Sequence, residues 1–206
     1  MKRVILALVA VAMFSLTSQA QIKFGAKAGM NLSRFTEVKW NIKPGFHAGA
    51  YAQINLMPKF SLQADLMYSM QGGITYYHVP LYYFISDTYT KIYQKLHYVL
   101  MPITFQCTPI KYLTIEAGPQ FGFALKASHF NKEFFKGVED TERSREYIHD
   151  REAYNLFDFG LVAGLNFNII KNINIYARYV IGVTDVFLRN EYARNQNIMF
   201  GVGYTF

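Results

Sequence analysis

The feature that most constrains this chain is a nearly continuous alternation of apolar residues with small or polar ones, from residue 22 onward. The closing segment NIMFGVGYTF shows the pattern clearly: one alternate set is large and apolar, and the other consists mainly of glycine and polar residues. Successive side chains of a β-strand point to opposite faces, so this pattern predicts a strand with one apolar face. Similar segments begin near residues 22, 46, 60, 98, 113, 157 and 173. No helix-period segment competes with them, and the sequence therefore predicts eight strands.

The connections between the predicted strands alternate between short and long. The short turns lie at residues 57–59, 109–111 and 170–172, and each contains a lysine. The long connections cover residues 34–44, 72–95, 126–153 and 185–195. Short turns at one end and long loops at the other are typical of an antiparallel up-and-down barrel in an outer membrane. We therefore predict an all-β, eight-stranded antiparallel up-and-down transmembrane β-barrel.

The distribution of glycine and charge predicts that the apolar face points outward, toward lipid. A soluble lipocalin would instead place it inside. The predicted apolar faces carry no charged residue, whereas the opposite faces carry three cations and three carboxylates. A narrow eight-stranded barrel also needs small inward residues beside large ones. Ten of the 14 glycines lie on the polar faces: Gly25, Gly29, Gly49, Gly118, Gly122, Gly160, Gly164, Gly182, Gly201 and Gly203.

The first 20 residues have the pattern of a cleaved signal peptide. A basic start is followed by an apolar run from Val4 to Phe14, which is too short to cross a bilayer as a helix. Ser18 and Ala20 occupy the small-residue positions before a cleavage site. We expect residues 1–20 to be removed and residues 21–206 to form one barrel domain. The remaining basic residues are scattered, so no nucleic-acid partner is expected.

Four charged residues on the polar faces are predicted to form a cluster inside the barrel. Lys27, Asp65, Glu116 and Arg178 belong to the first, third, fifth and seventh predicted strands, which run in the same direction. Each lies three to five residues from the start of its strand, so their side chains should meet in the lower or middle lumen. Buried charges persist when they are paired and hydrogen-bonded. The pattern predicts at least one direct contact from a cation to a carboxylate, and a lumen closed by side chains.

Several segments in order resemble the small outer-membrane β-barrel domain that is common in Bacteroidetes and often labelled porin-family. They are FGAKAGMNLS, FSLQADLMYSMQGG, HYVLMPITFQ, FDFGLVAGLNF and YARYVIGVTDV. The resemblance implies a Gram-negative outer-membrane location and insertion by the barrel-assembly machinery, which would recognise the terminal aromatic residue Phe206. It implies no single activity. Where the family usually has an acidic residue, this chain has Leu100; the acidic residue of the third strand is kept as Asp65, and Glu116 is a candidate substitute for the missing carboxylate.

The sequence offers little support for a catalytic or metal-binding site. Ser128–His129 and His149–Asp150 could be imagined as parts of a lipid-modifying site, because such enzymes need a nucleophile and a base. The five histidines are isolated from one another, without the short spacing of metal ligands. We expect no enzyme activity, no cofactor and no metal site.

The long loops are the predicted surface for partners. Residues 72–95 are rich in tyrosine and partly alternate, so strands three and four are expected to continue as a ribbon above the membrane. Rigid tyrosines are favoured at recognition surfaces. The loop of residues 126–153 contains the densely charged segment KEFFKGVEDTERSREYIHDRE (residues 132–152), which is expected to be solvated or partly helical. Candidate recognition residues are Tyr76, Tyr77, Tyr82, Tyr83 and Tyr89.

The expected function is a structural or surface-interaction role in the outer membrane, with membrane lipid around the barrel and a ligand or protein partner at the loops. Three alternatives stay open at this point. The chain could be a small channel, a barrel enzyme acting on lipids, or an accessory component of a secretion or motility apparatus.

Overall fold

The computed structural model of the protein describes residues 22–36, 41–78, 88–135, 138–149, 154–187 and 193–206. Nearly all of these residues lie in strands, which are, in chain order, β1 (Ile22–Phe35), β2 (Lys43–Met57), β3 (Phe60–His78), β4 (Thr88–Ile110), β5 (Leu113–Phe135), β6 (Val138–His149), β7 (Phe157–Ile170), β8 (Ile173–Asp185) and β9 (Arg194–Thr205). The predicted signal peptide lies outside the described residues. Within these ranges no helix is long and apolar enough to cross a membrane, a finding that does not bear on crossing by strands.

Eight of the strands close into a ring, as predicted. The order around the ring is β1, β2, β3, β4, β5, β7, β8 and β9, and every neighbouring pair is antiparallel. The ring closes where β9 pairs with β1, for example at Ala28 opposite Val202. Closure gives the backbone groups of the first and last strands hydrogen-bond partners, which a membrane-spanning sheet requires. The eight-stranded up-and-down barrel is therefore confirmed.

The apolar alternate residues point outward along the strands, also as predicted. Phe24 and Leu161 expose 58% and 56% of their surface, whereas Lys27 and Arg178, on the opposite faces, expose 3% and 2%. A soluble barrel would show the reverse arrangement. The short turns lie at one end of the ring, which we call the turn end, and the long connections lie at the other, the loop end.

Strands β3 and β4 extend well beyond the ring as an antiparallel ribbon, confirming the predicted continuation. Their ladder runs from the turn end up to His78 opposite Tyr89. Gly72 lies where β3 leaves its pairing with β2. Its φ of +140° is unfavourable for other residues, and a Cβ there would lie 2.0 Å from the carbonyl oxygen of Gln94. Glycine therefore lets the ribbon pass close to its partner strand at this point.

The expectation of a partly helical segment within residues 132–152 is wrong, since the described residues of that segment lie in strands. β5 continues to Phe135, and β6 returns beside it as an antiparallel strand. The physical reason is that a long extension of β5 has backbone donors and acceptors to satisfy on the side facing away from β4. Pairing with β6 satisfies them, and β3, β4, β5 and β6 together form a four-stranded sheet beyond the ring.

Candidate functional site

The barrel interior contains the four predicted charged residues, and a glycine brings two of them together. Glu116 on β5, Gly164 on β7 and Arg178 on β8 lie directly opposite one another across the three strands. A Cβ at Gly164 would lie 2.9 Å from both the Arg178 Cγ and the Glu116 Oε1 atoms. Because this position has no side chain, Glu116 and Arg178 meet above it.

Arg178 is the centre of this cluster and contacts both carboxylates. Its Nε donates to Glu116 Oε1 at 2.5 Å, and its Nη2 donates to Glu116 Oε2 at 3.0 Å. Its Nη1 donates to Asp65 Oδ2 at 2.5 Å. The two-pronged contact with Glu116 matches the geometry in which guanidinium groups bind carboxylates most strongly. We call Lys27, Asp65, Glu116 and Arg178 the charge cluster.

Neutral side chains donate further hydrogen bonds to the two carboxylates of the charge cluster. Gln63 donates to Asp65 Oδ1 at 2.5 Å, and Gln106 donates to Glu116 Oε2 at 3.0 Å. Lys27 makes only a longer contact, 3.9 Å from its Nζ to Asp65 Oδ2, and its ammonium lies 5.0 Å from the ring centres of Tyr51 and Tyr176. The structure thus brings all four predicted residues together, with Arg178 as the common partner.

A second polar group lies next to the charge cluster and was not singled out from the sequence. His47 is buried and contacts both the Asn31 side-chain oxygen and the Tyr176 hydroxyl. Asn31 in turn donates to the Ser69 hydroxyl at 2.8 Å and to the Met70 carbonyl at 3.1 Å. His47 occupies an inward alternate position, which is the one sequence signal that could have identified it.

Toward the loop end the interior contains apolar side chains as well as buried polar ones such as Gln71 and Asn195, so the predicted polar lumen is only partly polar there. Leu100, Met67 and Met199 are each at most 1% exposed, although they occupy the alternate positions predicted to be polar. Met67 and Leu100 lie directly opposite each other on β3 and β4. They belong to a cluster, here called the apolar layer, of Phe35, Met67, Leu96, Tyr98, Leu100, Ala127, Tyr154, Val162, Val180, Val186, Ala193 and Met199.

An acidic residue at position 100, which the family resemblance implies, would lie close to another carboxylate in this barrel. The side chains of Leu100 and Asp158 both lie against Gly122, where an added Cβ would be 3.2 Å from each. Asp158 already accepts hydrogen bonds from Thr184 at 2.9 Å and from Asn195 at 3.1 Å. A second carboxylate at position 100 would face Asp158 without a described cation beside it.

The turn end of the lumen opens into a cavity of about 1230 Å³, which we call the vestibule. Its walls are formed by the turn-end residues of the ring strands and by the three short turns. Lys27 and Gln63 lie where the vestibule meets the charge cluster. The charge cluster and the apolar layer lie between the vestibule and the loop end.

The surface tyrosines can be placed only in part. Tyr76 is on β3 and 46% exposed, and it lies opposite Lys91 on β4. The Lys91 ammonium lies 5.3 Å from the ring centre of Tyr76 and 5.0 Å from that of Tyr93. A hydrogen bond with Tyr93 raises the pKa of Lys91, so this cation stays charged. For two other candidates only the strand position is described: Tyr77 lies opposite Thr90, and Tyr89 opposite His78. Tyr82 and Tyr83 lie outside the described residues.

The candidate catalytic residues do not form a described site. Ser128 is 2% exposed and is therefore not at the lipid boundary. His129 and His149 lie on β5 and β6, in parts of the strands whose side chains are not described, and Asp150 lies outside the described residues. Among the residues that the structure describes, no group of three or more His, Cys, Asp or Glu side chains could hold a metal ion.

Phe206, the predicted assembly signal, lies at the turn end. Its backbone N–H donates to the Phe24 carbonyl at 2.8 Å, so the last residue still takes part in the closing ladder. Its ring is 76% exposed on the outside of the barrel and packs edge-on against Tyr204, with the ring centres 5.6 Å apart.

Three solved structures illustrate the similarity of this chain to other barrels. The attachment invasion locus protein Ail of Yersinia pestis is 15% identical, with 90% of this chain and 97% of that chain covered and a TM-score of 0.43. Neisserial surface protein A is 12% identical, with 92% and 100% covered and a TM-score of 0.44. The N-terminal β-barrel domain of Pseudomonas aeruginosa OprF is 14% identical, with 91% and 100% covered and a TM-score of 0.40. At these values none of them informs the activity of this chain.

The family of this chain is shown by its sequence rather than by its similarity to these solved structures. No curated protein matches the chain. The family model described as "Outer membrane protein beta-barrel domain" matches residues 17–188, which is most of the chain and includes seven of the eight ring strands. The match agrees with the closed ring, the outward apolar faces and the alternation of short turns with long connections. The chain therefore belongs to the outer membrane protein β-barrel domain family, and it is a protein of the Gram-negative outer membrane.

Proposed function

We propose that this protein is a closed, non-catalytic outer-membrane barrel that acts at the cell surface through the sheet formed by β3, β4, β5 and β6. The single observation that carries the proposal is the division of the molecule into two parts. Eight strands close into a ring, and β3, β4, β5 and β6 continue beyond that ring at the loop end as a four-stranded sheet. Outer-membrane barrels place their longer loops outside the cell and their short turns in the periplasm.

Two layers of side chains support a closed lumen. In the charge cluster, Arg178 reaches across the interior from β8 to Glu116 on β5 and to Asp65 on β3. Nearer the loop end, Leu100 and Met199 are fully buried in the apolar layer. An eight-stranded barrel is only wide enough for its own side chains to fill. A continuous water path would have to displace both layers, which favours a structural lumen over transport.

Conductance in planar bilayers tests the closed lumen. The folded protein is expected to give no stable single-channel steps, because the charge cluster and the apolar layer both obstruct the interior. A porin with 16 strands, reconstituted in the same lipid, serves as the positive control. Steady, reproducible current steps that require the folded barrel would contradict the proposal and favour the small-channel alternative.

The extracellular sheet is the proposed site of interaction. Tyr76, Lys91 and Tyr93 share one face of the ribbon, since Tyr76 lies opposite Lys91 and Tyr93 is two residues further along β4. Aromatic rings beside a cation provide contact area and charge with little loss of side-chain freedom on binding. The partner would be a ligand or protein outside the cell, while membrane lipid contacts the barrel wall.

Photo-crosslinking on intact cells tests this interaction face. A benzophenone side chain at position 76 is expected to give a discrete crosslinked species that weakens when Lys91→Ala is added, because Lys91 lies against the Tyr76 ring. The matched control places the same group at position 161, where Leu161 faces lipid. If position 76 gives no discrete product, or the same product as position 161, the ribbon has no such role.

Phe206 is proposed to serve during assembly, as the terminal aromatic that the barrel-assembly machinery recognises. Its exposure on the outer wall beside Tyr204 supports this role, since an aromatic side chain there is available before and after ring closure. Tyr and Trp rings are also favoured at membrane interfaces, so the same region suits a boundary position in the finished barrel.

A further inference from the structure

The vestibule at the periplasmic end has an unusual balance of charge. Five lysines contribute to its lining and no aspartate or glutamate does: Lys23, Lys27, Lys59, Lys111 and Lys171. Three of the five come from the three short turns, one from each turn. A concave site lined by one sign of charge concentrates the field between its walls and attracts ions of the opposite sign.

Two buried donors of the vestibule have no hydrogen-bond acceptor. Lys27 is 3% exposed and Asn166 is 5% exposed. Neither the Lys27 ammonium nor the Asn166 side-chain nitrogen has a hydrogen-bond partner. Both residues line the vestibule. Buried polar groups are rarely left unpaired without a reason, and one reason is an absent ion or ligand.

The charge cluster explains why Lys27 retains unused donors. Arg178 donates hydrogen bonds to both oxygens of Glu116 and to Asp65 Oδ2, the last at 2.5 Å. Lys27 therefore makes only a contact of 3.9 Å to the same Asp65 oxygen. The nearest carboxylates are therefore already committed to the guanidinium. The Lys27 ammonium therefore has hydrogen-bond donors available for an anion that binds in the vestibule.

We propose that the vestibule is a binding site for an oxyanion, of the phosphate or carboxylate class, that enters from the periplasmic side. Lys27 and Asn166 would donate to it at the inner end, and Lys23 and the turn lysines would supply positive charge around it. Two sources carry this chemistry. One is a soluble anion in the periplasm, and the other is the headgroup of an anionic lipid, since Met57, Tyr112 and Ile170 at the mouth are strongly exposed and apolar.

Titration calorimetry with tripolyphosphate tests the site, using the full barrel in phosphatidylcholine nanodiscs. Saturable binding is expected, and Lys23→Gln should weaken it about tenfold, as expected for loss of a charged hydrogen-bonding group. Asn166→Asp should weaken it at least as much, because it replaces a donor by a like charge with almost no change in size. Lys126→Gln is the matched control, since Lys126 is an exposed cation toward the loop end.

The lipid arm uses nanodiscs that contain phosphatidylglycerol and no tripolyphosphate. If a headgroup is the ligand, phosphatidylglycerol should raise the unfolding temperature of the native barrel and leave that of Lys23→Gln unchanged. Binding in either arm with the expected variant dependence supports the proposal and identifies the source. The proposal is overturned if neither probe acts on the native barrel, or if Lys126→Gln reduces the effect as much as Lys23→Gln does. None of these outcomes depends on the surface role of the ribbon.

Discussion

Replacing Arg178 with methionine is expected to lower the free energy of unfolding by about 3–5 kcal/mol, the usual cost of removing one partner of a buried ion pair. Arg178 is 2% exposed and holds Glu116 through two hydrogen bonds and Asp65 through one. Methionine has a similar volume, but it leaves Lys27, 3.9 Å from Asp65 Oδ2, as the remaining cation of the charge cluster. Urea unfolding in lipid, followed by tyrosine and tryptophan fluorescence and by heat-dependent gel mobility, measures the change.

A second substitution distinguishes a buried ion pair from general damage to packing. Arg178→Met combined with Glu116→Gln should recover most of the loss, because Asp65 keeps its hydrogen bond from Gln63 at 2.5 Å and its contact with Lys27. Replacing a buried pair together is often close to neutral. Arg194→Met is the matched control, since its contact with Asp185 is 3.4 Å long and the two side chains are 42% and 36% exposed. That variant should cost less than about 1 kcal/mol. Equal losses in the single and double Arg178 variants would contradict the expected pairing.

Replacing Leu100 with glutamate is expected to destabilise the barrel by about 3–5 kcal/mol or to prevent folding, since it leaves an uncompensated charge in the interior. Leu100 is fully buried in the apolar layer, and Asp158 lies across Gly122 from it. The new carboxylate would lose its hydration and would repel Asp158. The same urea titration in lipid, with the yield of heat-modifiable barrel, measures the effect.

Three further variants separate charge from shape at position 100. Leu100→Gln has nearly the size of the glutamate variant without the charge and should cost about 1–3 kcal/mol. Leu100→Met should cost less than about 1.5 kcal/mol, because volume is conserved. Adding Asp158→Asn to Leu100→Glu should restore part of the stability by removing the repulsion. If Leu100→Glu were as stable as the native barrel, the interior around Leu100 would have to be hydrated, which would contradict an apolar layer there.

The ring and its orientation could be predicted because they depend on short-range pattern. Alternation determines which residues share a face, as with Phe24 outside and Lys27 inside, and the lengths of the connections determine which end carries the turns. The meeting of Lys27, Asp65, Glu116 and Arg178 also followed from counting along strands that run in the same direction. The central position of Arg178 in this cluster could not be predicted in that way, because only the register across Gly164 places Glu116 opposite Arg178.

The apolar layer and β6 could not be predicted for two different reasons. From the sequence, an inward leucine or methionine is an exception to the alternation, and only the structure shows that Met67, Leu100 and Met199 belong to one buried cluster. The segment of β6 is rich in charge and lacks the apolar alternation of the ring strands. Its conformation depends on the backbone groups that the extension of β5 offers for pairing.

The sequence by itself determined the strand class, the ring of eight, the outward direction of the apolar faces and the identity of the interior charges, because each depends on side-chain alternation along the chain. The tertiary structure decided what the interior is: a charge cluster centred on Arg178, an apolar layer around Leu100 and a lysine-lined vestibule below them. These depend on the relative stagger of strands that are distant in the chain. Closure of the barrel sets that stagger, and no local pattern contains it.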